Sequence, residues 1–284
     1  MTLRPDVRGF FDPATHTVTY LVSDPATRMA AIIDPVLDYD PAAARTSTRS
    51  VDAVMQALRA AGLTLAFVLE THAHADHLTA AEHLRETEAV SIGIGARITQ
   101  VQSAFGLLFD VAADGGVFDR LFEDGDTFPL GDLTAEVIHT PGHTPACISY
   151  RIGDAVFTGD TLFMPDYGTA RTDFPGGDAR TLYRSIQRLL TLPDDTRLFV
   201  GHDYLPKGRD DYRFETTVGA QKAGNIHIAG VSEEAFVAMR QARDATLGAP
   251  QLILPSLQVN IRAGALPPAD EAGRRYLKLP LNAI

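Results

Sequence analysis

The chain has 284 residues, 45% hydrophobic and 21% charged, which is ample material for a buried core. A formal net charge of -11 argues against a nucleic-acid partner, because phosphate contacts need a basic surface. No apolar run approaches the roughly 18–20 residues of a membrane span, no secretory signal is read at the N-terminus, and one cysteine, Cys147, leaves no internal disulfide, so a cytoplasmic protein with no membrane partner is expected.

In chain order, "HTVTYLVSD" (16–24) and "RMAAIIDP" (28–35) read as a hairpin turning at Asp24 and Pro25. Val51, Val54, Met55, Leu58 and Ala61 recur at helical spacing, and Gly62 closes that helix. "LAFVLE" (65–70) is a continuous apolar strand, covered on both faces, that delivers the stretch "THAHADH" at its end. A helix is expected from near Leu78 to about Thr87. Strands follow at "AVSIGI" (89–94), "LTAEVIH" (133–139), "CISYRI" and "AVFTGD" (155–160). A helix fits 178–190, "RLFVGHD" (197–203) reads as a strand, and another helix runs from about Glu233 to Leu247. "QLILPSLQVNI" reads as a closing strand. Strands mixed with helices predict an α/β protein with mixed sheets and outer helices. The core is expected over about 10–205, with 206–284 as a C-terminal extension of one domain.

Four predicted strand ends carry ligand-type side chains: His72, His74, Asp76 and His77 after the first, His143 in "TPGH", Asp160 in "TGD", and His202 in "GHD". Strand ends on one sheet edge converge, so these groups are expected around one pocket. Imidazole with carboxylate suits zinc, iron or manganese better than calcium. Ala73 and Ala75 are small enough for adjacent ligands to turn inward, and Gly142 and Gly159 permit close backbone approach. The bland alternative, a polar loop or helix cap, accounts for a lone histidine but poorly for four coordinated segments.

The series H-x-H-x-D-H, PGH, TGD and a terminal histidine resembles the metallo-β-lactamase superfamily. That resemblance implies an αβ/βα sandwich of two mixed sheets with metal at one edge, and it covers about residues 10–205. Within the superfamily, "GDTLFMPDYGTARTDFPGGDARTLYRSI" (159–186) and "GHDY" (201–204) resemble the persulfide dioxygenases, or sulfur dioxygenases. This implies a single Fe(II) on His72, His143 and Asp160, with His74, Asp76, His77 and His202 as supporting groups or a second metal site. The reaction implied is oxidation of glutathione persulfide, or a related thiol persulfide, by O2 to sulfite and thiol, in sulfide detoxification. The longer C-terminal part, with "GRDDYRFETTVGAQKAGNIHIAG", departs from the shorter members of that family and leaves the thiol open.

The competing reading is a binuclear thioesterase of the glyoxalase II type with two Zn(II). There His72, His74 and His143 would hold one ion, Asp76, His77 and His202 the other, and Asp160 would bridge. A redox-inert zinc that merely staples strand ends is a third reading. For substrate contacts, Arg171 is the first candidate, against a pair with Asp173 or Asp166; Tyr204 and Thr144 follow. The loop with Lys207 and Arg209 is expected to be solvated. Cys147 is read as a buried small hydrophobe, His83 as solvated, His139 as a strand histidine, and His16 and His227 as lacking companion ligands. A homodimer is the default expectation for association.

Overall fold

The computed structural model describes residues 4–282. The chain opens with β1 (Asp6–Asp12), β2 (Thr17–Ser23) and β3 (Met29–Ile33), then β4 (Val36–Asp40), β5 (Arg45–Ser47), helix α1 (Arg49–Ala60) and β6 (Thr64–Leu69). After the histidine stretch come β7 (Leu78–Thr79), α2 (Ala81–Glu88), β8 (Ser91–Gly95), α3 (Ile98–Phe109) and β9 (Arg120–Phe122). The second half supplies β10 (Thr127–Leu130), β11 (Leu133–His139), β12 (Ile148–Ile152), β13 (Ala155–Phe157), α4 (Ala179–Leu189), β14 (Arg197–Phe199) and β15 (Glu215–Thr217). Helices α5 (Val218–Gly224), α6 (Glu233–Asp244) and α7 (Ile253–Asn260) complete it.

Two six-stranded mixed sheets result, ordered β1-β2-β3-β6-β8-β9 and β10-β11-β12-β13-β14-β15, with β5-β4-β7 as a small third sheet. The period-2 alternation of side chains explains the layering. In β2, Val18, Tyr20 and Val22 point into the core between the large sheets, whereas Leu21 points outward; Phe157 and Phe199 face that same inner core from β13 and β14. Val54, Met55 and Leu58 of α1 pack on the outer face of the first sheet, while Leu182 and Ile186 of α4 cover the second. The mixed α/β sandwich expected from the sequence is therefore observed.

The helices form where apolar residues repeat every three or four positions. α1 buries Val51, Val54, Met55 and Leu58. α4 starts at Asp178, whose carboxylate accepts from the Thr181 amide, and α6 starts at Ser232, which caps Ala235. α6 buries Phe236, Arg240 and Asp244 on one stripe and packs beside α4.

Two expectations are corrected. The helix expected from near Leu78 begins at Ala81, because Leu78 and Thr79 pair with Leu37 and Val36 first. The run "QLILPSLQVNI" is helix α7, not a strand: Ser256 to Asn260 are all buried, so no polar face marks the helical period. Among the described residues, no helix is long and apolar enough to cross a membrane.

Candidate metal centre

The ends of β3, β6 and β11, the turn after β13 and the end of β14 bring Asp34, His72, His74, His143, Asp160 and His202 together. The Nε2 atoms of His72 and His143 lie 4.0 and 3.8 Å from Oδ2 of Asp160. Nε2 of His202 stands 3.3 Å from both Asp76 Oδ2 and Asp160 Oδ1. Two glycines make this convergence possible. Gly142 has φ 137°, and a Cβ there would sit 2.4 Å from the Leu182 backbone. Gly159 has φ 48°, and its Cβ would sit 2.5 Å from the Thr71 hydroxyl.

That hydroxyl has a definite task. Thr71 Oγ1 donates its one proton to Asp34 Oδ2 at 2.8 Å, so its contact with His72 Nδ1 at 2.9 Å must run from the imidazole N–H to the hydroxyl. The lone pair of His72 is thereby left on Nε2. His143 Nδ1 meets the carbonyl of Arg171 at 2.8 Å and His77 Nδ1 that of Leu78 at 3.1 Å. A carbonyl only accepts, so these rings too present Nε2 lone pairs. His74 is turned the other way, with Nε2 3.0 Å from Asp34 Oδ1 and 3.6 Å from Glu70 Oε2. Supporting contacts of this kind fix the tautomer of a metal-ligating histidine.

The remaining polar atoms of these groups are orphaned. Nε2 of His72, His77 and His202, Nδ1 of His74 and Oδ1 of Asp160 are buried without a hydrogen bond among the described residues. Buried polar atoms left unpaired are costly, and a bound cation relieves those within its reach. Burial and then the neighbouring imidazoles hold His72 well below the ordinary histidine range. Burial likewise lowers His143, and takes His77 down to about 4. Neutral imidazoles are the form that binds metal. At His74 burial opposes the charge, but Asp34 and Glu70 outweigh it and draw the ring up to about 10. Burial, followed by the nearby Asp34 charge, lifts Glu70 to about 8. The donor set fits a transition-metal ion held by imidazole and carboxylate.

The donor atoms fall into three groups, each within 4.8 Å: His72, His143 and Asp160; His74, Asp76 and His202; and Asp34, Glu70 and His74. His77 is in none of them. Its ring lies tilted against that of His74, centres 4.2 Å apart, and it lines a separate pocket with Leu78 and Val36.

A cleft of about 200 Å³ opens on His143 and Asp160, walled by Phe163, Tyr167, Phe174 and Tyr204. Tyr204 stacks on His202 with ring centres 5.3 Å apart. Arg171 lines the cleft, but its Nε and Nη2 donate to Asp173 at 2.6 and 2.7 Å and its Nη1 to the Gly248 carbonyl at 2.8 Å. Its guanidinium is already engaged. Thr144 does not line the cleft; its hydroxyl lies 3.1 Å from Cys147 Sγ and accepts from the Ala146 amide, closing a turn. Cys147 is buried, which pushes its thiol up to about 12. Arg209, expected in solvent, is instead sequestered against Asp203 and Asp166. His83 is half-buried rather than solvated, and His139 contacts the Pro145 carbonyl at 3.0 Å. His16 packs near Tyr204, and His227 accepts from the Thr169 amide at 3.0 Å.

Sequence reading missed several residues of the site. Asp34 and Glu70 each close a predicted strand, a placement shared with the metal-type groups, and that signal was available. Asn260 gave none. From α7 its amide donates to the carbonyls of His74 and His77, both at 2.8 Å, and its carbonyl accepts from the Thr79 amide at 2.9 Å.

The profile of the metallo-beta-lactamase superfamily matches residues 13–202. The chain belongs to this superfamily. Among its members, a probable metallo-hydrolase of Burkholderia pseudomallei is 53% identical over 98% of this chain and 99% of its own length. The human mitochondrial persulfide dioxygenase ETHE1 is 34% identical over 70% of this chain and 68% of its own. The crystal structure of ETHE1 from Myxococcus xanthus superposes with a TM-score of 0.74 at 37% identity, covering 92% of this chain and all (100%) of that one. The chain spans 65% of the beta-lactamase hydrolase-like protein of Xylella fastidiosa, with 50% identity. The superfamily's clustered histidines and aspartates make the centre a metal-binding site, and its fold accounts for their position at one edge of the sandwich.

Proposed function

We propose that the protein is a persulfide dioxygenase that holds one Fe(II) on His72, His143 and Asp160. A thiol persulfide, such as glutathione persulfide, and O2 would be its substrates. The balance is one persulfide, one O2 and one water giving one thiol, one sulfite and two protons. The sulfur–sulfur bond breaks, and the terminal sulfur gains three oxygens, two from O2 and one from water.

The observation that carries this reading is how the donors group. Two histidines and one carboxylate form a compact triangle at the cleft, the donor set associated with non-haem iron oxygenases. The partition implied by the binuclear thioesterase reading differs from this one: Asp76 and His202 group with His74 rather than with His77. The likeness to relatives named as persulfide dioxygenases adds support, although the Burkholderia relative is named as a hydrolase.

Iron, when bound, supplies the joint activation of O2 and sulfur at one centre. The chain supplies orientation and exclusion of water. Thr71 and the Arg171 carbonyl hold His72 and His143 with Nε2 forward. Phe163, Phe174 and Tyr204 line the approach, and apolar walls limit the water that reaches a reactive sulfur. His202 and Asp76 sit beside the triangle as supporting groups.

The deciding experiment is elemental analysis of protein purified without oxygen, followed by oxygen-electrode assays. About one iron per chain and one O2 consumed per sulfite formed from glutathione persulfide is the expected result. Two zinc ions per chain, with hydrolysis of S-lactoylglutathione and no persulfide-dependent oxygen uptake, would replace this reading with the thioesterase.

A further inference from the structure

The cleft beside the metal centre is built in part by the C-terminal segment. Arg240, Arg243, Leu247 and Pro250, from α6 and the turn after it, line it together with Tyr204 and Phe163. Five charged or chargeable groups besides the tyrosines and His143 line this cleft: Asp76 and Asp160 of the metal-type cluster, and Arg171, Arg240 and Arg243.

Two of the three arginines are internally balanced. Arg171 is clamped by Asp173, and the fully buried Arg240 is held by Asp244 at 2.6 and 2.9 Å while also donating to the Thr169 carbonyl. Asp244 in turn accepts from the amide and hydroxyl of Thr172 at 2.9 and 3.0 Å, which pins the end of α6 to the segment carrying Arg171. Arg243 is different. It is exposed, it lines the cleft, and among the described residues its side chain makes no hydrogen bond or ion pair. In a chain of net charge -11, it is the uncompensated cation of this lining. A cation in the last turn of a helix is favourable in its own right, but that effect does not require a place on the cleft wall.

We propose that Arg243 is the specificity-determining residue of the cleft, selecting a persulfide that carries a carboxylate at the end remote from its sulfur. The assignment rests on the persulfide reading above. Sulfur sits at the His143 and Asp160 end, and the carboxylate meets a guanidinium presented by a helix that the Arg240–Asp244 pair holds in place. A guanidinium binds a carboxylate bidentately, so the contact selects for charge and for planar geometry. The C-terminal segment thereby decides which thiol is accepted, while the strand ends decide what happens to its sulfur.

The test compares glutathione with its diethyl ester, which has the same thiol and similar bulk but masked carboxylates. Binding to the full metal-loaded chain is measured calorimetrically without oxygen, for wild type, Arg243→Ala and Arg243→Lys. Loss of a charge-assisted contact predicts about tenfold weaker glutathione binding in Arg243→Ala. Ester binding and metal content should be unchanged, and Arg243→Lys should recover part of the loss. The glutathione advantage should also shrink in concentrated salt. With glutathione persulfide, the KM should rise by a similar factor while kcat stays within about twofold.

Equal glutathione affinity in wild type and Arg243→Ala overturns the assignment and leaves Arg243 as a helix-end charge only. An equal loss for the ester, or no glutathione binding by the wild type, overturns it as well. The two readings separate cleanly. Arg243-dependent glutathione binding without persulfide-driven oxygen uptake sinks the dioxygenase and keeps only the contact between Arg243 and a thiol's carboxylate; persulfide oxidation indifferent to Arg243→Ala keeps the dioxygenase and sinks that contact.

Discussion

Nε2 of His74 lies 3.0 Å from Oδ1 of Asp34, a carboxylate forty positions earlier in the chain that also receives the amide and hydroxyl of Thr71 at 2.8 Å each. One buried carboxylate thus steers two of the clustered histidines, His74 directly and His72 through Thr71. Asp34 has φ 49°, a backbone conformation that asparagine tolerates. Asp34→Asn should therefore fold, yet lose about 10- to 100-fold in metal affinity, the range for removal of an orienting partner. Competition with a calibrated chelator measures this, and unchanged affinity would mean that Asp34 serves folding alone.

The triangle and its neighbours make separable predictions. His143→Ala or Asp160→Ala should abolish both metal retention and turnover. His202→Ala should leave one iron per chain, because His202 stands outside the triangle and contacts it through Asp160. Metal content by mass spectrometry decides the matter, and loss of one of two bound ions in His202→Ala would require a binuclear centre.

Asn260 ties α7 to the backbone of the histidine stretch through hydrogen bonds to His74, His77 and Thr79. Replacing it with alanine leaves buried carbonyls and an amide unpaired. Such groups cost about 1–3 kcal/mol each. Allowing for relaxation, Asn260→Ala should lose roughly 2–4 kcal/mol in urea unfolding. Amide exchange at Thr79 should accelerate in the same variant. Exchange as slow as in wild type would show that the loop holds its shape without α7.

His227 gives a pH prediction away from the metal ligands. Burial, then Arg240 and Arg243, lower its pKa to about 4, and its Nδ1 accepts from the Thr169 amide. The unfolded chain binds a proton on this ring near pH 6.5, before the folded chain does. Stability from the neutral ring is therefore complete above about 6.5 and lost as pH falls toward 4. The melting-temperature advantage of wild type over His227→Asn should shrink across that window. A constant difference from pH 7 to 4.5 would contradict the linkage.

Much of the fold was readable where the signal is local. The β2–β3 hairpin sets two apolar runs around a turn, the strand expected at 133–139 coincides with β11, and α1 and α4 show one apolar stripe each. Strands of two to five residues, such as β4, β5, β7 and β9, are too short to display a period, and α3 was not recognised. Helix α7 failed for the opposite reason: burial on nearly every side erases the polar face that distinguishes a helix from a strand.

The sequence by itself determined the metal-type donors, since each lies in a short apolar strand-and-turn pattern that specifies where the chain must stop and expose a side chain. Only the tertiary structure decided how those donors divide, that Arg171 is bound to Asp173, and that Asp34, Asn260 and Arg243 belong to the same neighbourhood. The reason is physical. A strand or helix advertises itself through neighbours a few positions away, whereas a polar side chain takes its role from partners that folding brings within 3 Å across a large separation in sequence, as Asn260 does with His74 at 2.8 Å.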